Sequence, residues 1–304
     1  MRQGVTALVA CVAVMTVTVR TADQKTLPVS VKSALQFFEG HDDLSIDEFL
    51  GRGRPSPIDA IERNRVLRAL PYGAIPPDTP ALAKMSLGEE VLAYHGRRGV
   101  ITFTIIRVTP GFIGLTDRAV ILVSANVLPL LNKEEFAALV AHEIGHEYVL
   151  ADYRRAEMRH DHSRIRELEL RCDGIAVLTL RRLGLDAGRL ITAVERLTSY
   201  NKELRLDDNA SDYVSLRERR AFIRAVEQLH WADRQSSEVD RIGLSCGRGS
   251  GGHAHANTMP ESHQGESLRD GRDRLHLCRV FQSIDDVVRD CRDSTRTPGM
   301  RLVP

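Results

Sequence analysis

Two histidines and a glutamate at positions 142–146 have the residue types and the spacing that metal-assisted hydrolysis uses. His142 and His146 are four residues apart, so on an α-helix they lie one turn apart on the same face. Glu143 lies next to the first of them. In this HExxH pattern two imidazoles bind one zinc ion, and the glutamate acts as a base on a water molecule. A histidine pair on a solvated helix face would match the same short motif.

A second helix is predicted to supply a third ligand. Glu169 and Asp173 are again four residues apart. A carboxylate from Glu169 would complete a His-His-Glu set and leave the fourth zinc position open, as catalytic sites require. Asp173 could then accept the free N–H of a zinc-bound histidine. The alternative is an ordinary acidic helix with Glu/Arg pairs, which Glu167 and Arg171 fit well.

The helix that carries the HExxH motif has its own start signal. Asn132 is a good N-cap, and the side chain of Glu135 can bond back to the Asn132 amide. The buried face is predicted from an apolar stripe of Phe136, Leu139, Val140 and Ile144. Gly145 costs about 1 kcal/mol inside a helix. We therefore expect a second helix or a strand to approach the backbone closely at Gly145.

The elements around these two helices are predicted from periodicity and start signals. The second metal-binding helix is expected from Ser163 to Gly184. A capping-box pattern at Ser45–Glu48 predicts a helix start there. Further helices are expected at 57–70, 82–94, 186–200 and 215–231, and strands at 100–108 and 119–125. If 119–125 lies at the edge of the sheet, its backbone could pair with an extended peptide. An interior strand without a free edge is the alternative.

Composition excludes some classes of function. The net charge is +1, with 42 basic and 41 acidic side chains, and aromatic residues make up 5%. This balance favours neither nucleic acid nor an anionic membrane surface as a partner. His160 and His162 stand in a charged segment that we interpret as solvated. The cysteines lack CxxC spacing, which disfavours a cysteine zinc site. Cys172 is expected to be a small buried residue.

Four regions are expected along the chain. Residues 1–22 carry an almost uncharged run between two arginines, which predicts a signal peptide or an N-terminal membrane anchor. Cleavage, lipidation at Cys11 and retention all remain open, and a buried N-terminal strand is the alternative. Residues 23–78 form a helical extension, and 79–232 form the metal-binding domain. Residues 233–304 form a flexible linker and a C-terminal helical tail. Any one disulfide there has three pairings, among Cys246, Cys278 and Cys291.

The combined motifs resemble a known family. HExxH, then ExxxD at Glu169 to Asp173, then an apolar helix ending in Leu-Gly-Leu-Asp186 resemble the HtpX-like and BepA-like zinc metallopeptidases. These are gluzincins of peptidase family M forty-eight, and the resemblance covers roughly residues 80 to 230. It implies an α+β fold, a mainly helical zincin-type metallopeptidase domain with a small β-sheet beside the HExxH helix.

The resemblance also implies roles for individual residues. His142, His146 and Glu169 would be the ligands of one Zn2+ per chain, Glu143 the general base, and Asp173 the partner of a ligating histidine. The family often has a His-Pro pair before a Ser-Leu-x-Glu-Arg-like segment, where this chain reads Tyr213-Val-Ser-Leu-Arg-Glu-Arg219. Tyr213 could still donate a hydrogen bond to an oxyanion.

The sequence therefore predicts a zinc-dependent metalloendopeptidase in extracytoplasmic protein quality control. The expected location is periplasmic or secreted, with membrane contact through the N-terminal segment. Expected partners are protein or peptide substrates, misfolded envelope proteins among them, and no nucleic acid. One alternative is an extracytoplasmic chaperone or assembly factor with little or no proteolysis. Another is a structural zinc site, in which the fourth position is closed and chelation unfolds the domain.

Overall fold

The computed structural model describes residues 27–70, 74–205 and 214–232. There the fold is mixed α and β and mainly helical, which confirms the coarse part of the predicted fold class. The helices are α1 (Val29–Leu35), α2 (Ile46–Gly53), α3 (Ala60–Ala69), α4 (Thr79–Tyr94), α5 (Val127–Leu130), α6 (Lys133–Met158), α7 (His162–Arg182), α8 (Gly188–Glu203) and α9 (Leu216–Glu227). The strands are β1 (Ala74–Ile75), β2 (Thr102–Ile106), β3 (Ile113–Thr116) and β4 (Val120–Ser124).

The strands form one mixed sheet in the order β1-β2-β4-β3. β2 and β4 run parallel, with Thr102 opposite Val120, and the two outer pairs are antiparallel. Every residue of β4 is buried. The strand predicted at 119–125 is therefore interior, which is the second of the two arrangements that the sequence left open. The edge on that side is β3, which was not predicted, because four residues that include Gly114 are too short to show an alternating pattern.

A tight turn joins β3 to β4. Residues 117–119 form the loop. Asp117 and Arg118 both have positive φ, 44° and 60°, and the Ala119 amide donates to the Thr116 carbonyl, which is the backbone of a type I′ turn. The Arg118 Nε donates to Glu147 Oε1 at 2.8 Å, and the buried Arg97 donates to the other oxygen of the same carboxylate. Glu147 lies on α6, directly after His146. This ion pair therefore ties the β3–β4 hairpin to the helix that carries the HExxH motif.

The predicted capping boxes are confirmed. In each of them the N-cap side chain accepts from the third helical amide and the glutamate side chain accepts in return. The pairs are Ser45 with Glu48 at α2, Asn132 with Glu135 at α6, and Ser215 with Glu218 at α9. These local exchanges satisfy backbone amides that have no partner inside the helix, which is why the helices begin at these positions.

Two predicted helix starts differ from the structure. The helix expected from Ser56–Pro57 begins at Ala60 instead, because the Asp59 side chain accepts hydrogen bonds from two amides of the first turn. The helix expected to follow Asp186 begins at Gly188. Asp186 still contributes, since its Oδ1 accepts from the Gly188 amide at 2.8 Å.

The long helices α6 and α7 lie against each other in the main core, and the N-terminal helices join that core. Phe38, which follows α1, is 2% exposed. Its ring covers Gly174 of α7 so closely that a Cβ at Gly174 would lie 2.3 Å from the Phe38 Cζ. At the other end Trp231 is buried and packs on Phe49 of α2, with ring centroids 5.0 Å apart. α1 and α2 of the predicted N-terminal extension are thus packed directly on α7, whereas Val66 of α3 packs against residues of β2 and β4.

None of the described helices is both long enough and apolar enough to cross a bilayer. The leader or anchor predicted for residues 1–22 lies outside the described residues, and so does the predicted linker and tail at 233–304 with its three cysteines. Cys172 is a free, fully buried thiol, which confirms its predicted role as a small buried residue.

His95, at the end of α4, joins three helices through its ring. Its Nδ1 lies 2.9 Å from the Tyr148 hydroxyl of α6, and its Nε2 lies 2.9 Å from the Thr179 hydroxyl of α7. Thr179 donates its own proton to a carbonyl, so the Nε2 of His95 must be the donor and the Nδ1 the acceptor. Burial, together with the charges of Arg54 and Arg97, lowers the pKa of His95 to about 3. The ring is therefore neutral in the folded protein.

This neutral ring should make folding stability depend on pH. Because the unfolded chain protonates His95 near pH 6.5 and the folded chain does not, stability should fall as pH drops from 6.5 toward 3, by about 1.4 kcal/mol per pH unit. Between pH 7 and pH 5 the wild type should lose about 2 kcal/mol more than His95→Gln, measured by urea unfolding. The exposed His230→Gln should follow the wild type. Equal losses in the wild type and His95→Gln would contradict this account of His95.

Candidate metal centre

Three HExxH side chains converge in the middle of α6. One ligand atom from each of His142, Glu143 and His146 lies within 4.8 Å of the other two. His142 and Glu143 are 3% and 2% exposed, while the side chain of His146 is 12% exposed. Within residues 27–70, 74–205 and 214–232, no other group of histidine, cysteine and carboxylate side chains comes this close. The helix thus presents two imidazoles and one carboxylate at a single point.

Glu169 reaches the same point from α7. Its Oε2 lies 3.4 Å from the His142 Nε2, and its Oε1 lies 3.8 Å from the His146 Nε2. Ligands of one tetrahedral zinc, each about 2.0–2.2 Å from the ion, are about 3.3–3.6 Å apart. One separation falls within this range and the other is slightly longer. Glu169 is therefore at a ligand-like distance from His142 and slightly beyond it from His146, while the cluster that could hold a metal comprises His142, Glu143 and His146.

Asp173 orients the first imidazole. Its Oδ1 lies 2.8 Å from the His142 Nδ1, and the carboxylate is fully buried. With Asp173 accepting the Nδ1 proton, the Nε2 faces Glu169 and is the atom that would carry the lone pair for a cation. Asp173 lies one helical turn after Glu169, so a single helix supplies both the carboxylate that faces the imidazoles and the carboxylate that orients one of them.

Arg219, on α9, is a site residue that the sequence analysis did not single out. It is 2% exposed, its Nη1 donates to the Asp173 Oδ2 at 2.6 Å, and its Nη2 lies 3.5 Å from the Glu169 Oε2. A signal was present in the sequence. Arg219 precedes Phe222 and Ile223 by three and four residues, which places it on the apolar face of α9.

Tyr153 is the second site residue that was missed. Its hydroxyl donates to the Glu169 Oε1 at 2.9 Å, and its ring packs edge-on against His146, with centroids 5.1 Å apart. Tyr153 follows His146 by seven residues, about two turns of helix, so both side chains lie on the same face of α6. That spacing was available in the sequence, but it does not by itself distinguish a site residue from a core tyrosine.

The ionisable groups of the site shift one another. Burial disfavours the charged form of His142, but the hydrogen bond that it donates to Asp173 and the nearby Glu169 carboxylate outweigh burial and raise the pKa of His142 to about 10. Burial lowers the pKa of His146 to about 4. Burial alone would raise the pKa of Glu169, yet the two histidines and Arg219 hold it below its usual range. The site therefore strongly favours a positive charge beside Glu169, whether a proton or a cation.

The charge balance fits a divalent cation. Among the described residues, three carboxylates are buried at the site, those of Glu143, Glu169 and Asp173, against the single guanidinium of Arg219. Buried charges are stable only when they are paired or bound to metal. A divalent ion would neutralise the two negative charges that Arg219 leaves. The mixed nitrogen and oxygen donors are those that zinc accepts.

The edge strand and a small apolar cleft flank the site. The Leu115 amide of β3 donates to the Glu143 Oε2 at 2.8 Å, so β3 lies directly beside the glutamate. The cleft adjoins His142, Glu143 and Arg219, and its apolar wall is formed by Phe112, Ile113, Leu139, Val194 and Leu197. This wall combines residues of β3, α6 and α8 with Phe112 just before β3. A chain lying along β3 would thus place an apolar side chain near the imidazoles.

Three residues that the sequence analysis considered are not part of the candidate metal centre as the structure describes it. Tyr213 lies outside the described residues, so its proposed contact with an oxyanion stays a prediction. His160 is exposed at the turn between α6 and α7, with φ of 52°, and His162 begins α7. Neither belongs to the cluster that could hold a metal. The interpretation of this segment as solvated fits His160, but His162 is half-buried and Tyr153, where the segment begins, is buried.

Gly145 sets the distance between α6 and α7. A Cβ at this position would lie 2.7 Å from the Cys172 Cα and 2.9 Å from its carbonyl oxygen. The clashing atoms belong to the backbone, so no side-chain rotation could relieve the contact. The close approach that was predicted at Gly145 is confirmed. Because Gly145 precedes His146 and Cys172 precedes Asp173, this contact also fixes the separation of the histidines from the α7 carboxylates.

Gly145→Ala should therefore destabilise the protein by about 1–3 kcal/mol, because overpacking outweighs the better helix propensity of alanine. Gly51→Ala is the matched control, since Gly51 lies in α2 with nothing within 4 Å of an added Cβ. It should be neutral or stabilise by up to about 1 kcal/mol. Chemical unfolding of both variants measures the difference. If Gly145→Ala were as stable as Gly51→Ala, α6 and α7 could move apart without loss of folding free energy, which would contradict the role given to Gly145.

Comparison with known proteins adds no family to this picture: no protein-family model matches the chain, and no curated protein matches it either. The resemblance to the HtpX-like and BepA-like metallopeptidases therefore remains a prediction that rests on the motif residues. The chemistry of the site is inferred from its own geometry.

Proposed function

We propose that this protein is a zinc-dependent metalloendopeptidase that hydrolyses peptide bonds of protein substrates. The observation that carries the proposal is the cluster of His142, Glu143 and His146 on α6. The Glu169 carboxylate of α7 lies 3.4 Å from the first imidazole and 3.8 Å from the second. Two imidazoles and one carboxylate leave a coordination position for a reactant, as in catalytic zinc sites. A structural zinc site would need a fourth ligand, and the predicted set does not include one.

The proposed ligands are the Nε2 atoms of His142 and His146 and the carboxylate of Glu169. A zinc ion bound there would supply a Lewis acid that activates water and polarises the scissile carbonyl. Asp173 keeps His142 in the tautomer whose Nε2 can bind a cation. Arg219 balances part of the carboxylate charge and holds Asp173 in place.

Glu143 is the proposed general base. Its carboxylate takes a proton from the attacking water as the carbon–oxygen bond forms, then delivers that proton to the leaving nitrogen as the peptide bond breaks. The Leu115 amide of the edge strand β3 donates a hydrogen bond to one oxygen of Glu143. This bond fixes the orientation of the Glu143 carboxylate. A buried, oriented carboxylate beside the imidazoles is the arrangement that this proton transfer needs.

The proposed substrate is an extended polypeptide with an apolar side chain near the scissile bond. β3 is at the end of the sheet order, and strand edges accept peptides through main-chain hydrogen bonds. The apolar cleft beside Glu143 would take the side chain. The predicted leader at 1–22 supports an extracytoplasmic role in protein quality control. We further propose that Tyr213 donates a hydrogen bond to the oxyanion that forms during hydrolysis.

Purified wild-type protein should contain one zinc ion per chain, and His146→Ala should lose both the zinc and the digestion of casein. The reason is that His146 contributes one of three ligands, and two ligands bind zinc much more weakly. His162→Ala, which changes a histidine outside the metal-capable cluster, should keep both properties. Metal analysis by mass spectrometry measures the zinc. A wild type without stoichiometric zinc after zinc reconstitution would remove the basis of the proposal.

Glu143→Gln should bind zinc normally and lose activity by at least about 100-fold, because general base catalysis typically contributes 10²–10⁴-fold. Glu134→Gln, on the exposed side of α6 and ion-paired with Arg189, is the matched control and should stay active. The rates of casein cleavage and the zinc contents of both variants give the answer. Glu143→Gln also tests the chaperone alternative, in which binding of unfolded chains survives and wild-type cleavage is absent. If Glu143→Gln cleaves casein at the wild-type rate, Glu143 is not the general base.

A further inference from the structure

Each oxygen of the Glu169 carboxylate has a different set of neighbours. Oε2 lies 3.4 Å from the His142 Nε2 and 3.5 Å from the Arg219 Nη2. Oε1 accepts the Tyr153 hydroxyl at 2.9 Å and lies farther, 3.8 Å, from the His146 Nε2. The shortest of these contacts is therefore the hydrogen bond from Tyr153, and it is made to the oxygen that is more distant from an imidazole.

The ring of Tyr153 is held by packing on both sides. It is 5% exposed and belongs to a small apolar cluster between α6 and α7 that contains Val149, Ala156, Ile165, Leu168 and Cys172. On its other side it meets His146 edge-on, at an interplanar angle of 82°. A ring fixed in this way cannot follow Glu169 if the carboxylate turns. The hydroxyl is thus a stationary donor at one side of the candidate metal centre.

We propose that Tyr153 is a positioning residue for metal binding, an inference that rests on the proposed zinc site. By holding Oε1, Tyr153 keeps the carboxylate plane from rotating and presents Oε2 on the side of His142. It also donates to a charged acceptor in a water-poor seam, where such a bond is stronger than between neutral groups. A buried carboxylate that lost this donor would turn between its two oxygens, and the ligand set would lose its preorganisation.

Tyr153→Phe tests this directly, because it removes the donor and keeps the ring. Tyr148→Phe is the matched control. Tyr148 is on the same helix, and its hydroxyl bonds to the His95 Nδ1 at 2.9 Å instead of to a proposed ligand. Zinc affinity is measured by competition with a chromophoric chelator, and the visible absorption spectrum of the Co2+-substituted protein reports the coordination. Thermal unfolding of the metal-free variants separates loss of folding from loss of metal binding.

Zinc affinity should fall by about 10- to 100-fold in Tyr153→Phe, the usual effect of removing a partner of a metal ligand, with a changed Co2+ spectrum. Tyr148→Phe should keep the wild-type affinity and spectrum. Unchanged zinc affinity in a folded Tyr153→Phe protein, with tight binding by the wild type, would overturn the positioning role and leave the proposed function standing. Failure of the wild type to bind zinc would remove both proposals.

A double-mutant comparison shows whether Tyr153 acts through Glu169. In a Glu169→Gln background the additional Tyr153→Phe change should alter zinc affinity by no more than about twofold, because the carboxylate that the hydroxyl positions is already gone. If the full 10- to 100-fold loss of the single variant recurs in that background, Tyr153 acts on the metal by another route, and the proposal is wrong. Within each background the two proteins compared differ by one hydroxyl, so the ring and its packing are the same in both.

Discussion

The contact between α6 and α7 at Gly145 is the constraint on which the rest of the site depends. At this point the backbone of Cys172 fills the space that a side chain would occupy. Helices that approach so closely exclude water from the seam between them. The charged groups on either side must then satisfy one another, since solvent cannot. The short distance between α6 and α7 excludes water, and the same distance brings Glu169 of α7 opposite the two imidazoles of α6.

A second consequence of this seam is a chain of hydrogen bonds that ends in a positive charge. Arg219 holds Asp173, Asp173 holds His142, and the His142 Nε2 faces Glu169. Each link is buried, so each partner is worth more than it would be in water, and a missing partner costs more. The buried ion pair between Arg219 and Asp173 is by itself weak evidence that the contact stabilises the fold. It is stronger evidence for function, because apolar residues could have filled the same volume at lower electrostatic cost.

Local signals explain which parts of the fold were predictable. The capping residues Asn132 and Ser215 and the glycine at 145 act through neighbours in sequence or through the loss of a side chain, so their patterns could be interpreted directly. The edge position of β3 could not be predicted, because strand order depends on which distant segments pair, and only β2 and β4 carried a clear strand pattern. Arg219 was missed for the same reason, since its partner Asp173 lies 46 residues away.

The same contrast applies to the candidate centre. The HExxH and ExxxD spacings predict which side chains share a helix face, but they do not determine how the two faces meet. Two glycines determine how the faces meet. Gly145 of α6 leaves room for the backbone of α7 on one side, and Gly174 of α7 leaves room for the ring of Phe38 on the other. Gly174 follows Asp173 directly. Phe38 therefore packs against α7 directly after Asp173, so the contacts around the centre extend to a residue that precedes the predicted metallopeptidase domain by about forty positions.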